Sequence, residues 1–337
     1  MEAIGLQTQI WNNNLRSAVL LAGFPVLLIG MVFALQLALM GAGVFPSTHS
    51  LDGDLASAVG MLAVSAPLAI GVAVIWFTIA YFGSQTIIDL TTGAQKVERT
   101  DQPRLYNLLE NLAISRGLKP PAVRVISSPA LNAYATGLNQ SQYTITVTQG
   151  LLDALTDQEL EAVLAHELSH ILNRDVRTMV IAAVFAGIIT LIAQIIYRGM
   201  RFSSFSRRSS KSAGVFILIA LAVAAIGYLL AIVIKFAISR QREYVADSGS
   251  AQLTKNPDAL ISALRKVSQG PRLEAPEQVR AMFLDDHKPG FSLFASHPPL
   301  ERRIAALVKF AGGHDLPEAT PAPLQQPGDE TPAGPWG

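Results

Sequence analysis

His166, Glu167 and His170 are the residues whose types and spacing could do chemistry in this chain. Histidines four apart on an α-helix project from one face, so both imidazoles can reach a single metal ion while the glutamate stands beside them. Ala165-His166-Glu167-Leu168-Ser169-His170 has the HExxH pattern. The chemistry which that pattern serves is zinc-assisted hydrolysis of peptide bonds, with the glutamate as general base.

The pattern requires a helix, and the flanking residues specify one. Thr156-Asp157-Gln158-Glu159 reads as a capping box with Thr156 as N-cap and Glu159 at N3. Behind it Leu160, Val163, Leu164, Leu168, Ile171 and Leu172 recur at helical spacing and mark a buried stripe.

Composition places this helix in a membrane protein. Half of the 337 residues are hydrophobic and 15% are charged, with a mean hydropathy of +0.35. A net charge of +1 argues against a dedicated nucleic-acid binder. With no cysteine, disulfides and thiolate metal sites are impossible, so zinc must be held by His and carboxylate.

Apolar runs from about 17 to 40 and 57 to 82 read as a transmembrane hairpin containing Pro25 and Pro67. The loop between them has no Lys or Arg, whereas Lys96, Arg99 and Arg104 follow the second run. The positive-inside rule therefore puts residues after about 83 in the cytoplasm. Runs from about 179 to 197 and 213 to 239 read as a second hairpin. Its connecting loop carries Arg198, Arg201, Arg207, Arg208 and Lys211, against that rule, so it either crosses fully or is buried in the membrane without crossing.

Between the hairpins an amphipathic helix is expected from about Pro103 to Arg116, then a strand over 122–126. Tyr143 to Thr148 alternates with period two, Tyr143, Ile145 and Val147 on one side and threonines on the other. Two readings fit: a half-buried strand, or an edge strand beside the metal helix that holds an extended peptide by strand addition. After the second hairpin come Arg240-Gln241-Arg242-Glu243-Tyr244-Val245-Ala246-Asp247 and a last helix beginning near His297-Pro298-Pro299.

Two histidines leave a catalytic zinc short of a third protein ligand. Glu243 is the best candidate, because it opens a helix on the same membrane side. Asp247, one turn on, is placed to accept a hydrogen bond from a ligating imidazole. The alternative is a solvated acidic face shared with Arg240 and Arg242. His49, His287 and His314 lack partners at ligand spacing and read as surface residues.

The chain resembles the M48 peptidases, and within them the HtpX-like membrane proteases, over most of residues 15 to 310. The resemblance is carried by Asn132-Ala133-Tyr134-Ala135-Thr136-Gly137, by His166 to His170 with Asn173 and Asp175, by Ser239 to Asp247, and by His297-Pro298-Pro299. It implies that Glu243 is the third zinc ligand, Glu167 the general base, and the strand after Asn132 the binder of substrate backbone. It also implies that His297 approaches the site as a gate or oxyanion helper. Arg240 and Arg242 are the other candidates for holding the oxyanion, and with Asn132, Ala133, Tyr134, Ala135 and Thr136 they are expected to bind substrate. The implied protein is a zinc endopeptidase with one zinc per chain. It would act on protein substrates, membrane proteins among them, in quality control at the inner (plasma) membrane. A prenyl-protein peptidase and a non-catalytic zinc-containing scaffold or chaperone are the alternatives.

The expected architecture is α+β and mainly α-helical: an integral, multi-pass membrane protein with about four hydrophobic helices and a zincin-like catalytic domain with a small β-sheet. The expected divisions are 1–83 (first hairpin), 84–178 (first catalytic part), 179–239 (second hairpin), 240–311 (second catalytic part) and 312–337 (disordered tail).

Overall fold

A computed structural model describes residues 6–41, 44–48, 50–181, 240–271, 283–284 and 297–315, with isolated positions among 187–229 and at 273. Two long helices open the chain, α1 (Leu6–Gly41) and α2 (Leu51–Thr92). Ser50 caps α2 by accepting from the Gly53 amide, and Gly93 ends it with φ 72. Among the described residues, one helix is long and apolar enough to cross a membrane: Asp52–Thr92, with a mean hydropathy of 2.3. Its apolar side chains are left outside the protein, Val64 being 76% and Phe82 76% exposed. Such a run of unburied hydrophobic surface calls for lipid. Gln36 Nε2 donates to Ser65 Oγ at 2.7 Å and ties α1 to α2.

The second hairpin, 179–239, lies almost wholly outside the described residues. The expected boundary at residue 83 falls inside α2, which runs on unbroken to Thr92. At 1.5 Å per residue its 42 residues extend about 63 Å, twice a bilayer's hydrocarbon thickness. The C-terminal part of α2 therefore belongs to the catalytic body.

That body is built on a four-stranded sheet of β1 (Ala94–Lys96), β2 (Ala122–Ile126), β3 (Ala133–Thr136) and β4 (Thr144–Thr148), in the order β1-β2-β4-β3. β2 and β4 are parallel, while β3 and β4 form an antiparallel pair. Two expectations for the Tyr143–Thr148 stretch are overturned. β4 is an interior strand and β3 is the edge, because alternation reports faces and says nothing of strand order. Nor is β4 half-buried, since all five of its residues are buried. Its two faces do differ chemically, but the threonine-bearing face is covered by the end of α2. There Thr136 Oγ1 donates to Gln85 Oε1 at 2.6 Å, Tyr134 Oη meets Thr92 Oγ1 at 3.2 Å, and Arg124 pairs with Asp89 at 3.0 Å.

The other face packs on helices. α3 (Pro103–Ser115) and the short α4 (Gln149–Ala154) lead to α5 (Asp157–Leu172), the HExxH helix. Thr156 and Glu159 form the expected capping box on α5. Glu159 also accepts from Lys266 Nζ at 2.8 Å and from Ser262 Oγ at 2.6 Å, both on α7 (Pro257–Gln269). α5 is buried on every side over most of its length, as befits a helix at the centre of a domain. α6 (Arg240–Thr254) lies close along it, with α8 (Leu300–Ala311) packed on α6 and α7. Small residues permit that approach: a Cβ on Gly249 would collide with the Ser169 side chain, and Ser250 Oγ donates to the Ala162 carbonyl at 2.6 Å. Of the expected disordered tail, 316–337 lie outside the described residues, and 312–315 are ordered. Gly312 ends α8 with φ 72, and Gly313 to Asp315 are held against α7 through Asp258 and Arg265.

Candidate metal and active site

One turn of α5 and the first turn of α6 meet at His166, His170 and Glu243. Each residue offers one ligand atom, and these atoms lie within 4.8 Å of one another. His166 Nε2 is 3.2 Å from His170 Nε2, and the two nitrogens are 3.5 and 3.6 Å from the Glu243 oxygens. The two imidazoles face different oxygens of the one carboxylate, and a zinc ion bonded at about 2.0–2.2 Å to such donors is the metal that a His, His, Glu set suits. Glu243 Oε2 is moreover buried with no hydrogen-bond donor, an acceptor that a cation would satisfy.

Each imidazole is steered by a carboxylate on its far nitrogen, leaving Nε2 for the metal. His170 Nδ1 lies 3.0 Å from Asp175 Oδ2. Asp175 returns to the site because Arg174 takes a left-handed conformation, φ 60, just past the end of α5. His166 Nδ1 lies 3.0 Å from Asp247 Oδ1, somewhat off the line of a good hydrogen bond. Asp247 is in turn gripped by Arg303 of α8, whose Nε and Nη2 reach its two oxygens at 2.9 and 2.7 Å.

Charge in this pocket follows from burial set against pairing. Burial alone pushes the Glu243 carboxyl up, but His297, His170, His166 and Arg303 outweigh it and hold the pKa well below the usual range. Burial likewise opposes ionisation of Asp247, and Arg303 with His166 overcomes it. His166 is disfavoured as a cation by burial, yet its pairing with the Asp247 and Glu243 carboxylates raises it to about 9, a proton that a metal at Nε2 would displace. Glu167 goes the other way: burial raises it, and the nearby histidines only partly offset this.

A narrow cleft opens onto these groups, with Glu167, Ala135, Phe283 and His297 in its walls. His297 Nε2 is 3.7 Å from Glu243 Oε2. Of the residues expected to contact substrate, Ala135 faces the cleft. Asn132 instead turns its amide oxygen to the backbone amides of Ala133 and Leu284, at 2.9 and 3.1 Å. The side chains of Tyr134 and Thr136 point at α2. Arg242 is not a cleft residue. It is almost completely buried and Nη1 donates to the Asp175 carbonyl at 3.5 Å, so the expected oxyanion or substrate role does not fit. Arg240 begins α6, and its side chain is outside the described residues. His314 is exposed and pairs with Asp258, while His49 and His287 lie outside the described residues.

Arg303 went unnoticed in the sequence, although a signal was there. Leu300, Arg303, Ile304 and Leu307 share one apolar stripe at helical spacing, and a charged residue on such a stripe demands a buried partner.

The sequence pattern of peptidase family M48 matches residues 99–311. The chain belongs to peptidase family M48. A protein named "Protease HtpX homolog" from Bacteroides fragilis strain YCH46 is 44% identical over 323 residues, covering 92% of this M48 chain and all of the relative. A protein of the same name from Dictyoglomus thermophilum is 39% identical over 232 residues, covering 68% and 76%. The chain is thus an HtpX-like member of M48. The crystal structure of S. mikatae Ste24p superposes with a TM-score of 0.45 at 22% identity, covering 74% of this chain and 64% of that one, too loosely to bear on the site.

Proposed function

We propose that this M48 chain is a zinc endopeptidase of the inner membrane, facing the cytoplasm, which cleaves misfolded or damaged proteins including membrane proteins. The observation that carries the reading is the buried cluster of His166, His170 and Glu243, whose ligand atoms lie within 4.8 Å of one another, beside a buried Glu167 and the edge strand of the sheet. The name carried by the relatives, the exposed apolar surface of α2 and the cytoplasmic orientation implied by Lys96, Arg99 and Arg104 support the setting.

His166, His170 and Glu243 would hold one zinc per chain, which when bound acidifies a water molecule and polarises the peptide carbonyl. Glu167 takes the proton from the attacking water and returns it to the departing amine. Burial raises its pKa above the ordinary carboxylate value, which makes it a stronger base toward that proton. The outward backbone groups of Ala135 hold the substrate as an added strand. His297, in the cleft wall, is the side chain best placed to stabilise the oxyanion.

The test is digestion of an unfolded model protein by detergent-purified full-length chain with zinc, comparing wild type with Glu167→Gln and measuring bound metal in both. The reading expects wild type to cut and the variant, with equal zinc, to cut at least about a hundredfold more slowly. Equal rates would remove Glu167 from the mechanism. A wild type that holds zinc and never cuts would favour the scaffold alternative.

A further inference from the structure

The free edge of β3 is shorter than its length implies. In the β3–β4 pair Asn132 O receives the Thr148 amide, so alternate residues, Ala133 and Ala135, turn their backbone groups outward. Ala133 is already taken. Its carbonyl accepts the Leu284 amide at 2.9 Å, and its own amide donates to Asn132 Oδ1 at 2.9 Å. Leu284 is secured from the far side as well, since Arg303 Nη1 donates to its carbonyl at 3.2 Å. At the other end Gly137 adopts φ 116 against the Gln142 backbone, and the strand stops. Among the described residues no hydrogen bond reaches the outward groups of Ala135. Next to Leu284, Phe283 stacks on Tyr134 with ring centroids 5.5 Å apart and stands in the cleft wall with Ala135 and Glu167. Both residues are buried, at 2% and 1% exposed.

We infer that Phe283 and Leu284 form the end wall of the substrate cleft: Leu284 occupies the Ala133 position of the edge, and Phe283 limits the side chain a substrate can place beside the cleaved bond. This rests on the peptidase reading above. Among the described residues, Ala135 is the one outward position of β3 that carries no hydrogen bond, and a peptide seated there has a single register relative to Glu167. In a strand, successive side chains alternate in direction, so a single register brings one particular substrate side chain toward the Phe283 ring. That position accepts small residues and rejects bulky ones.

The experiment is digestion of β-casein, an unfolded protein, by full-length chain in detergent with zinc. Every cut is located by mass spectrometry for wild type, Phe283→Ala and Phe283→Leu, and bound zinc is measured in each. Phe283→Ala is expected to hold wild-type zinc and to gain about tenfold in cuts with an aromatic or long aliphatic residue at one position flanking the cleaved bond. Phe283→Leu is expected to gain less, at the same position. If Phe283→Ala loses zinc or fails to fold, Phe283→Leu carries the test. An unchanged cut profile in a zinc-loaded variant overturns the inference alone, whereas a zinc-loaded wild type that makes no cuts overturns the peptidase reading beneath it.

Discussion

Replacing Arg303 by methionine strands the buried Asp247 carboxylate next to the metal-ligand cluster. The guanidinium and the Asp247 carboxylate form a two-pronged pair whose side chains are 3% and 2% exposed, and Arg303 also lies 4.0 Å from Glu243. Methionine refills much of the volume and leaves Asp247 ionised in a dry site with His166 beside it. Breaking one side of a buried pair costs about 3–5 kcal/mol. In a body of this size each kcal/mol lowers the melting temperature by about 2–4 °C, so a fall of roughly 6–20 °C is expected. Zinc affinity should drop about 10- to 100-fold, because Asp247 is no longer held where it steers His166. Arg303→Lys should rescue little, since an ammonium cannot span both carboxylate oxygens. The double variant Arg303→Met with Asp247→Asn removes the stranded charge and should recover much of the stability while zinc binding stays weak. Thermal unfolding in detergent and competition with a zinc-chelating dye read the two quantities. An Arg303→Met chain with wild-type melting temperature and zinc affinity would refute the account of Asp247 as a held group.

Glu243→Ala should abolish stoichiometric zinc at concentrations that saturate Glu167→Gln, read by metal analysis after gel filtration. Equal zinc in the two would move the third ligand elsewhere. Glu159 joins the start of α5 to α7. Although burial opposes its charge, Lys266, Ser262 and Thr156 lower its pKa below 4.5. A depressed carboxylate stabilises the fold above its unfolded pKa, and that contribution is lost as pH falls through the folded value. Melting temperature between pH 6 and 3 should therefore fall less steeply in Glu159→Gln than in wild type, and parallel curves would show that this carboxylate has no such role.

What the amino-acid sequence makes legible is mostly local. The capping box and apolar stripe of α5 lie within one stretch of chain, so the helix carrying His166 and His170 was readable down to its N-cap residue. Glu243 stands far along the chain from these histidines, across a hydrophobic segment, and its residues alone left an exposed acidic face equally open. What brings it in is the small-residue contact of α6 on α5 at Gly249 and Ser250, which no periodicity announces. The same limit explains β4. Alternation separated its two faces correctly, but only tertiary structure shows that α2 covers the threonine side and that β3 takes the edge. Leu284 against Ala133 is a single backbone contact between distant residues, and nothing in either residue's type predicts it.

The unbroken course of α2 has a consequence for reach. Over its last three turns, from Tyr81 to Thr92, the helix is fastened to the sheet through Asn139, Gln142, Thr136, Arg124 and Tyr134. Those turns measure about 17 Å of rigid helix, and the same rod continues into the apolar stretch. The blade is thus mounted on a strut and not hung from a tether. On the function proposed above, its height above the lipid would be set by the protein itself, and a substrate anchored in the same bilayer would be cut only where enough loose chain emerges to climb to that height.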